Sequence, residues 1–289
     1  MWQTEPRPTR TRCFVVPDFG LQARSDIREL LAEHDLRPQK SFGQNFLADP
    51  NIVDRIVRTA GVDETSNVVE IGAGTGALTT ALAREAGRVV AYEVDHSMEP
   101  ILRSALSHHE NVELRFADAS RLRFDRAFPE GDWTMVSNLP YNVGTGIVLD
   151  TLQHGPMVAR LVVMVQKEVA ERLISTPGSK VYGIPSVVVG LHGAGHIAFT
   201  VPPQVFEPPP NVDSAVVVID RKVPDILAPR AIEIATTAFG QRRKMLRRSL
   251  ATEFPSAGVL EKAGIDPTAR PEDLEPEAFV AMARAEVLP

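Results

Sequence analysis

Five short apolar runs alternate with segments of helical length between residues 67 and 166 of this chain. They are Asn67–Ile71, Arg88–Glu93, Val112–Asp118, a run that ends at Asn138, and Leu161–Gln166. Strands that are separated by helices pair in parallel through right-handed crossovers. The pattern therefore predicts an α/β fold with a mostly parallel sheet. Two later runs, Gly195–Val201 and Ala215–Ile219, have no helix between them and predict a terminal antiparallel pair.

The sequence divides into three parts. Beyond about Lys222 the β-rich runs stop and three or four helical segments follow. We therefore predict a sheet domain over residues 25–222 and a small all-helical domain over residues 223–289. Residues 1–24 carry prolines among Arg and Thr with little periodicity, which predicts a flexible N-terminal tail.

Composition limits the classes of function. The net charge of −6 means that a nucleic-acid site would have to be a local basic patch. Cys13 is the single cysteine, the N-terminus lacks the apolar core of a signal peptide, and no apolar run is long enough to span a membrane. We expect a cytoplasmic protein with no membrane partner. The seven histidines show no metal-ligand spacing, so no metal site is predicted.

A glycine turn follows the first predicted strand and opens a helix. Its sequence is Gly72-x-Gly74-x-Gly76, in which glycines let the backbone approach a ligand and helix N–H groups point at it. Read together with Ala77, the turn also fits the G-x-G-x-x-A pattern of NAD binding. A glycine turn without a ligand is the third interpretation.

Three carboxylates near this turn favour S-adenosylmethionine over NAD. Glu93 ends the second strand, where an acid holds ribose hydroxyls. Asp118 ends the third strand, where it could accept a hydrogen bond from the amino group of an adenine. Glu70 directly precedes the glycines, and a carboxylate is unfavourable beside a pyrophosphate but tolerable beside a cationic sulfonium.

The tetrapeptide Asn138-Leu139-Pro140-Tyr141 follows the fourth strand, at the edge where parallel sheets bind ligands. Asn138 offers a side-chain carbonyl, Pro140 offers a backbone carbonyl held by its fixed φ, and Tyr141 adds a flat ring. Two acceptors beside an aromatic face suit a planar group with an exocyclic amine, such as a nucleobase. The alternative is a strand-end turn with the tyrosine packed over it.

Two further segments are candidates for a functional role. Phe42–Leu47 places two phenylalanines around Gly43 and two amides, so it either pins the N-terminal tail to the main domain or forms a lid over a ligand. A basic cluster lies on a predicted helix in the C-terminal domain, with Leu246 and Leu250 facing elsewhere. Its members are Arg242, Arg243, Lys244, Arg247 and Arg248. We interpret the cluster as a phosphate-binding surface for RNA, and a solvated charged face is the alternative.

Six ordered motifs resemble those of the ribosomal RNA adenine N6-dimethyltransferases, and the similarity runs from about residue 36 to 280. They are Phe42–Leu47, Glu70–Gly76, Asn138–Asn142, Gln166–Arg172, Phe206–Ser214 and Gln241–Lys244. Within that family, the last two motifs favour the enzymes that dimethylate two adjacent adenosines of small-subunit rRNA. The alternative is a 23S rRNA adenine N6-methyltransferase that confers macrolide resistance.

The resemblance implies a Rossmann-like S-adenosylmethionine-dependent methyltransferase sheet, mostly parallel with an antiparallel last strand, and a small C-terminal all-helical domain. It implies N6,N6-dimethylation of two adjacent adenosines in the 3′-terminal hairpin of 16S rRNA during small-subunit biogenesis. The implied partner is 16S rRNA within the immature small ribosomal subunit, bound by a monomer. A mainly non-catalytic assembly factor is a further alternative.

The resemblance also assigns residues. Asn45 and Leu47 would line the cofactor pocket, Gly72 would approach the methionine part, Glu93 would hold the ribose and Asp118 the adenine. Asn138 would face both cofactor and target.

The chemistry expected at the target amine is alignment rather than general-base catalysis. If the Asn138 side chain and the Pro140 carbonyl each accept an N6–H, the lone pair of the amine aims at the methyl group. Tyr141 would stack on one face of the extruded adenine and Phe206 on the other. The alternative for Phe206 is a hydrophobic plug beside the proline run.

Overall fold

A computed structural model describes residues 22–122, 124–127, 131–254 and 258–287. The predicted tail therefore lies outside the described residues as far as residue 21. Residues 22–24 of that range pack on the domain instead, because Gln22 is buried and Arg24 begins the first helix.

Strands and helices alternate along the sheet domain, and helices alone follow it. The strands are β1 Phe46–Leu47, β2 Asn67–Ile71, β3 Arg88–Glu93, β4 Val112–Phe116, β5 Trp133–Asn138, β6 Val158–Gln166, β7 Gly193–Val201, β8 Phe206–Glu207 and β9 Ser214–Arg221. The helices are α1 Arg24–Glu33, α2 Pro50–Ala60, α3 Ala77–Glu85, α4 Glu99–Ala105, α5 Phe124–Ala127, α6 Gly144–His154, α7 Lys167–Leu173, α8 Ile184–His192, α9 Ala228–Phe239, α10 Leu246–Ser249, α11 Gly258–Lys262 and α12 Pro276–Val287.

The central sheet has seven strands in the order β4-β3-β2-β5-β6-β9-β7. The five strands from β4 to β6 in this order are parallel, and β9 is antiparallel to both β6 and β7. The predicted mostly parallel sheet with an antiparallel last strand is confirmed. The predicted antiparallel pair forms at one end of the sheet, where β7 is the edge strand and β9 lies between β6 and β7.

Helices cover both faces of the sheet. Val68 packs with α2 and α3, whereas its neighbour Val69 packs with the helices of the opposite face. This alternation follows from the period of two in a strand. Ile27 of α1 and Ile101 of α4 share one cluster on the α2–α3 side, and α5 to α8 lie on the other side. Both faces of the parallel strands are therefore buried, which is why their sequences are continuously apolar.

The C-terminal helices pack around a core of their own. Ile234 of α9 and Phe279 of α12 are fully buried there, together with Val187 and Leu191 of α8. Helix α8 thus contacts both the sheet and the C-terminal helices. No helix in the described ranges combines the length and the apolar character that a bilayer crossing requires.

A two-stranded ribbon lies outside the main sheet and was not predicted. In it, Phe46 of β1 pairs with Glu207 of β8, and Leu47 pairs with Phe206. Two arginines of α1 bind the same ribbon, because Arg24 and Arg28 both donate to the Glu207 carboxylate, at 3.0 and 2.8 Å. The ribbon connects the segment before α2 to the segment before β9.

Candidate functional site

A cavity lies at the carboxyl edge of the central strands, where the strand order reverses between β2 and β5. Eight of the predicted site residues line it, namely Asn45, Leu47, Gly72, Glu93, Asp118, Asn138, Pro140 and Tyr141. The structure thus brings together residues that are up to 96 positions apart in the sequence, from Asn45 to Tyr141. Phe206 does not belong to this lining.

The glycine turn has positive φ values, a backbone conformation that only glycine adopts readily. Gly72, Gly74 and Gly76 have φ values of 85°, 56° and 84°. A Cβ built on Gly72 would lie 3.6 Å from the Asn138 carbonyl oxygen, and one on Gly74 would lie 3.1 Å from the Phe46 ring. The turn is therefore packed between the loop after β5 and the segment around β1.

Glu93 is held in place by three backbone N–H groups. Its Oε2 accepts from Gly74 at 2.8 Å, and its Oε1 accepts from Val94 and Asp95 at 2.9 Å each. Burial raises the pKa of Glu93, and these hydrogen bonds oppose the shift. A carboxylate oxygen has two acceptor positions, so Oε2 keeps one for a further donor. A ribose hydroxyl would fit there.

Glu70 is a buried carboxyl group beside the same turn. It is 1% exposed, and its Oε2 has no hydrogen-bond partner among the described residues. Burial raises the pKa of Glu70 to about 8, opposed by the Thr79 hydroxyl and reinforced by Glu93. A cation bound beside this buried carboxyl group would lower its pKa and be stabilised by its charged form, whereas a pyrophosphate there is disfavoured. These residues therefore fit S-adenosylmethionine.

The Glu70 carboxyl predicts a pH dependence of stability. Its pKa is raised from 4.5 in the unfolded chain to about 8 in the folded chain, so its contribution to stability is greatest below pH 4.5 and is lost as the pH rises through 8. Glu70→Gln keeps the shape but does not titrate. Without ligand, we expect the free energy of unfolding of the wild type to fall between pH 6 and pH 9 by on the order of 3 kcal/mol more than that of Glu70→Gln. Denaturant titrations at both pH values measure this.

The control for this experiment is Glu64→Gln, because Glu64 is exposed. It should follow the wild type at both pH values. Parallel pH dependence of the wild type and Glu70→Gln would contradict an uncharged Glu70 in the folded state.

A strap formed by residues 39–47 covers one side of the cavity. Gln39 and Gln44 donate from their side-chain amides to Asp95 Oδ2, at 3.2 and 2.8 Å. Between these two glutamines, the Ser41 carbonyl accepts a hydrogen bond from the Asn142 side-chain amide at 3.1 Å. Residues 42–47 line the cavity, as the lid interpretation requires, and Phe46 also packs against α1. The tail that the other interpretation concerns lies outside the described residues as far as residue 21.

Asp95 was missed as a site residue, although it stands two positions after Glu93 and is buried. The Asp95 Oδ1 also accepts from the N–H and the hydroxyl of Ser97, so Asp95 caps the short turn that follows it. The only sequence signal was an acidic residue beyond the predicted ribose-binding position. Its partners, Gln39 and Gln44, are more than 50 positions away and could not be assigned to it.

We predict that Asp95→Ala weakens S-adenosylmethionine binding by about tenfold, because both amide contacts of the strap to a charged acceptor are lost. The turnover number at saturating cofactor should fall much less. Calorimetric titration measures the affinity. The matched control is Asp63→Ala, which removes a similar carboxylate that caps the Thr65–Ser66 turn. Equal effects of the two variants would show that the strap does not hold the cofactor.

The loop of residues 138–142 carries the predicted catalytic groups. Asn138 Nδ2 donates to the Asn45 carbonyl at 3.1 Å, which leaves Oδ1 of the amide as an acceptor. The Pro140 carbonyl, in contrast, already accepts from the N–H groups of Val143 at 3.2 Å and Gly144 at 2.8 Å. Both of its acceptor positions are therefore engaged in the first turn before α6. The predicted role of Pro140 as an acceptor for the amine has no support in this geometry.

The two predicted stacking residues differ in position. Tyr141 lines the cavity, is half-buried, and shares a hydrogen bond with Ser214. Phe206 is fully buried in the apolar cluster that contains Leu47 and Val136. In this conformation Phe206 packs as the hydrophobic plug that was given as the alternative, because the β1–β8 ribbon turns its side chain into the core. Its stacking role stays a prediction.

The basic cluster is not one continuous helix, as was predicted. Helix α9 ends at Phe239 and α10 begins only at Leu246. Arg242 is engaged within the protein, since it donates to Glu272 at 2.5 Å and to the Ser179 carbonyl at 3.2 Å. The remaining four cations, Arg243, Lys244, Arg247 and Arg248, are exposed. We call these four residues the basic patch.

Most of this chain is similar to known ribosomal RNA methyltransferases. The family model described as ribosomal RNA adenine dimethylase matches residues 36–285. The ribosomal RNA small subunit methyltransferase A of Brucella canis is 43% identical over 274 residues, which cover 92% of this chain and 99% of that protein. The protein of the same name from Chelativorans sp. is 43% identical over 266 residues, covering 89% and 96%.

Two solved structures have a similar fold. The dimethyladenosine transferase from Plasmodium falciparum superposes with a TM-score of 0.71 at 24% identity, covering 82% of this chain and 95% of that chain. The 23S rRNA methyltransferase ErmE superposes with a TM-score of 0.66 at 26% identity, covering 83% and 99%.

Proposed function

This chain belongs to the ribosomal RNA adenine dimethylase family, and we propose that it dimethylates N6 of two adjacent adenosines in the 3′-terminal hairpin of 16S rRNA. It is an rRNA adenine dimethyltransferase that uses S-adenosylmethionine. The small subunit as the target is supported by the relatives named ribosomal RNA small subunit methyltransferase A, which are 43% identical over nearly their whole length. The two adjacent adenosines and the immature state of the subunit are what the resemblance of the six motifs implies.

One observation carries the proposal. The glycine turn and the 138–142 loop meet within one cavity, with the Gly72 backbone directly against Asn138 and Pro140. A ligand held along the glycine turn therefore ends beside the acceptors that would hold a purine amine. This arrangement suits the transfer of a group from a bound cofactor to an exocyclic nitrogen.

The residues that would hold S-adenosylmethionine are those of the cavity lining. Glu93 has an acceptor position left for the ribose, and Asp118 lies at the predicted adenine end. Glu70 has an unpaired carboxyl oxygen beside the glycine turn, and a cationic ligand there would lower its pKa and favour its charged form. When bound, the cofactor supplies a methyl group on a cationic sulfur. The strap around Asn45 and Leu47 would exclude water from this group.

The target amine needs two acceptors, and we place them at the Asn138 side chain and the Leu139 carbonyl. The Pro140 carbonyl is engaged by Val143 and Gly144, whereas no hydrogen bond to the Leu139 carbonyl forms within the described part of the chain. Leu139 also lines the cavity, and its N–H is fixed by the Met164 carbonyl at 3.1 Å. Acceptors fixed in this way pull the amine out of conjugation and aim its lone pair at the methyl group.

Methyl transfer to N6 requires no general base in the protein, because the released proton can go to water. A bound cofactor would supply the methyl carbon to the nitrogen and would keep the electron pair of the carbon–sulfur bond on its sulfur, while one N6 proton would leave to water. In the second transfer only one N6–H is present, so one of the two acceptor contacts is lost. The cavity must also admit N6-methyladenine.

RNA binding is assigned to the basic patch. Arg243, Lys244, Arg247 and Arg248 are exposed on a protein whose net charge is −6, so they form a local positive surface. We place the reaction in the cytoplasm, on the immature small subunit, with the protein acting as a monomer. An additional role as an assembly factor is compatible with the same surface.

The experiment that tests the proposal is incubation of the protein with radiolabelled S-adenosylmethionine and undermethylated small ribosomal subunits. The labelled nucleotides are then located by nuclease digestion and mass spectrometry. We expect dimethyladenosine at two adjacent positions near the 3′ end of 16S rRNA. Label confined to 23S rRNA in parallel reactions with large subunits would identify the alternative specificity of ErmE-like enzymes.

A further inference from the structure

A hydrogen bond joins the 138–142 loop to the first residue of β9. The Tyr141 hydroxyl and the Ser214 hydroxyl lie 2.5 Å apart. Tyr141 is half-buried at the cavity, whereas Ser214 has no exposed surface. The far end of the Tyr141 ring is therefore fixed to the interior, while part of the ring stays at the cavity.

Ser214 is attached to a rigid part of the sheet. It pairs with Gln166 of β6 on one side and with Val201 of β7 on the other. The backbone carbonyl of the preceding residue, Asp213, accepts a hydrogen bond from the Lys167 N–H at 2.9 Å. Because its backbone is held from both sides, Ser214 presents its hydroxyl at a fixed place.

We propose that Ser214 is a positioning residue for methyl transfer, because it fixes the far end of the Tyr141 ring on which the target adenine stacks. The inference rests on the proposed function and deepens it. Stacking depends on the offset and tilt of the two rings. Because the hydrogen bond holds the hydroxyl end of the ring in one position, the amine of the stacked base reaches the same place in each catalytic cycle.

The two methyl transfers depend on this ring to different degrees. An unmethylated adenine is aligned by two N6–H contacts and by stacking, whereas N6-methyladenine has one N6–H left. Stacking on Tyr141 therefore carries a larger share of the alignment in the second transfer. Loss of the Ser214 contact slows the second transfer more than the first.

The test uses Ser214→Ala on undermethylated small subunits, with products quantified by mass spectrometry. We expect kcat/KM for the rRNA to fall about tenfold, as for the loss of one buried hydrogen bond. The ratio of monomethyladenosine to dimethyladenosine should rise at equal total conversion. The affinity for S-adenosylmethionine should stay within about twofold of the wild type. A smaller fraction of folded enzyme would lower total product without changing the ratio.

Tyr141→Phe is the second variant, because it removes the same contact and keeps the aromatic ring. It should reproduce the raised monomethyl ratio, and the double variant should be no worse than either single one. The matched control is Ser186→Ala, which removes another buried serine hydroxyl that donates to the Arg172 carbonyl at 2.6 Å. Its product ratio should equal that of the wild type.

Two results would overturn the inference while leaving the proposed function intact. One is a wild-type product ratio in both Ser214→Ala and Tyr141→Phe, and the other is fully additive losses in the double variant. A wild-type protein that forms no methylated adenosine would overturn the proposed function, and this inference with it.

Discussion

Replacement of Asn138 by alanine is expected to lower methyl transfer to rRNA by about 10²–10³-fold, the range found when one preorganised hydrogen-bonding group is removed from an active site. The variant loses the side-chain oxygen that aligns the amine. The glycine turn and Glu93 do not depend on this side chain, so S-adenosylmethionine should bind within a few-fold of the wild-type affinity. Single-turnover kinetics and calorimetry measure the two quantities.

The matched control is Asn67→Ala. Asn67 also donates from its side-chain amide to a backbone carbonyl, that of Asp132, but it lies at the start of β2, at the opposite edge of the sheet. It should retain wild-type turnover. Near wild-type turnover in Asn138→Ala would refute the role assigned to the amide, and a parallel loss of cofactor affinity would assign Asn138 to cofactor binding instead.

Charge reversal in the basic patch is expected to have the second largest effect. The double variant Arg247→Glu, Arg248→Glu should weaken binding to small-subunit rRNA by about 10–100-fold at low salt. The slope of log K against log salt should become flatter by about 2, because two phosphate contacts and their released counterions are lost. Filter binding at several salt concentrations measures both quantities.

The control for this variant has the same change in net charge. Arg58 and Arg103 are exposed on α2 and α4 of the sheet domain, and reversal of both should leave the salt slope unchanged. An Arg242→Glu variant should instead lose stability, because Arg242 binds Glu272 within the protein. An unchanged slope in the Arg247 and Arg248 variant would show that the patch does not contact RNA.

Much of the sheet domain could be predicted because its strands are buried on both faces. The bounds of Asn67–Ile71 and Arg88–Glu93 in the structure are those of the apolar runs. Parallel pairing then places the residues after each strand at one edge, and this is why Gly72, Glu93 and Asn138 could be grouped from the sequence alone. The fold and the location of the cavity follow from this periodicity.

Other features depend on contacts between distant segments and have no local signal. The β1–β8 ribbon consists of two-residue strands about 160 positions apart, too short for any periodicity. The ribbon buries Phe206, which the sequence alone placed beside the target base. The ion pair of Arg242 had no local signal either, because its partner Glu272 is 30 positions away. The engagement of the Pro140 carbonyl arises from a turn whose hydrogen bonds the residue types do not specify.

The two sequence alternatives for residues 42–47 show why site residues are harder to predict than strands. An apolar segment near a ligand can bury its side chains in the core or in the pocket, and Phe46 does both. Asp95 is a further case, because its importance lies in the amides that converge on it rather than in its own sequence position. Such residues become visible only once the chain is folded.

The most direct test of this account is a crystal structure of the protein with S-adenosylmethionine. We predict that the ribose binds Glu93, that the adenine lies near Asp118, and that the sulfonium methyl group points to the space between Asn138 and Tyr141. A cofactor bound outside this cavity, or one whose methyl group points away from the 138–142 loop, would contradict the proposal that the transferred group and the target amine meet there.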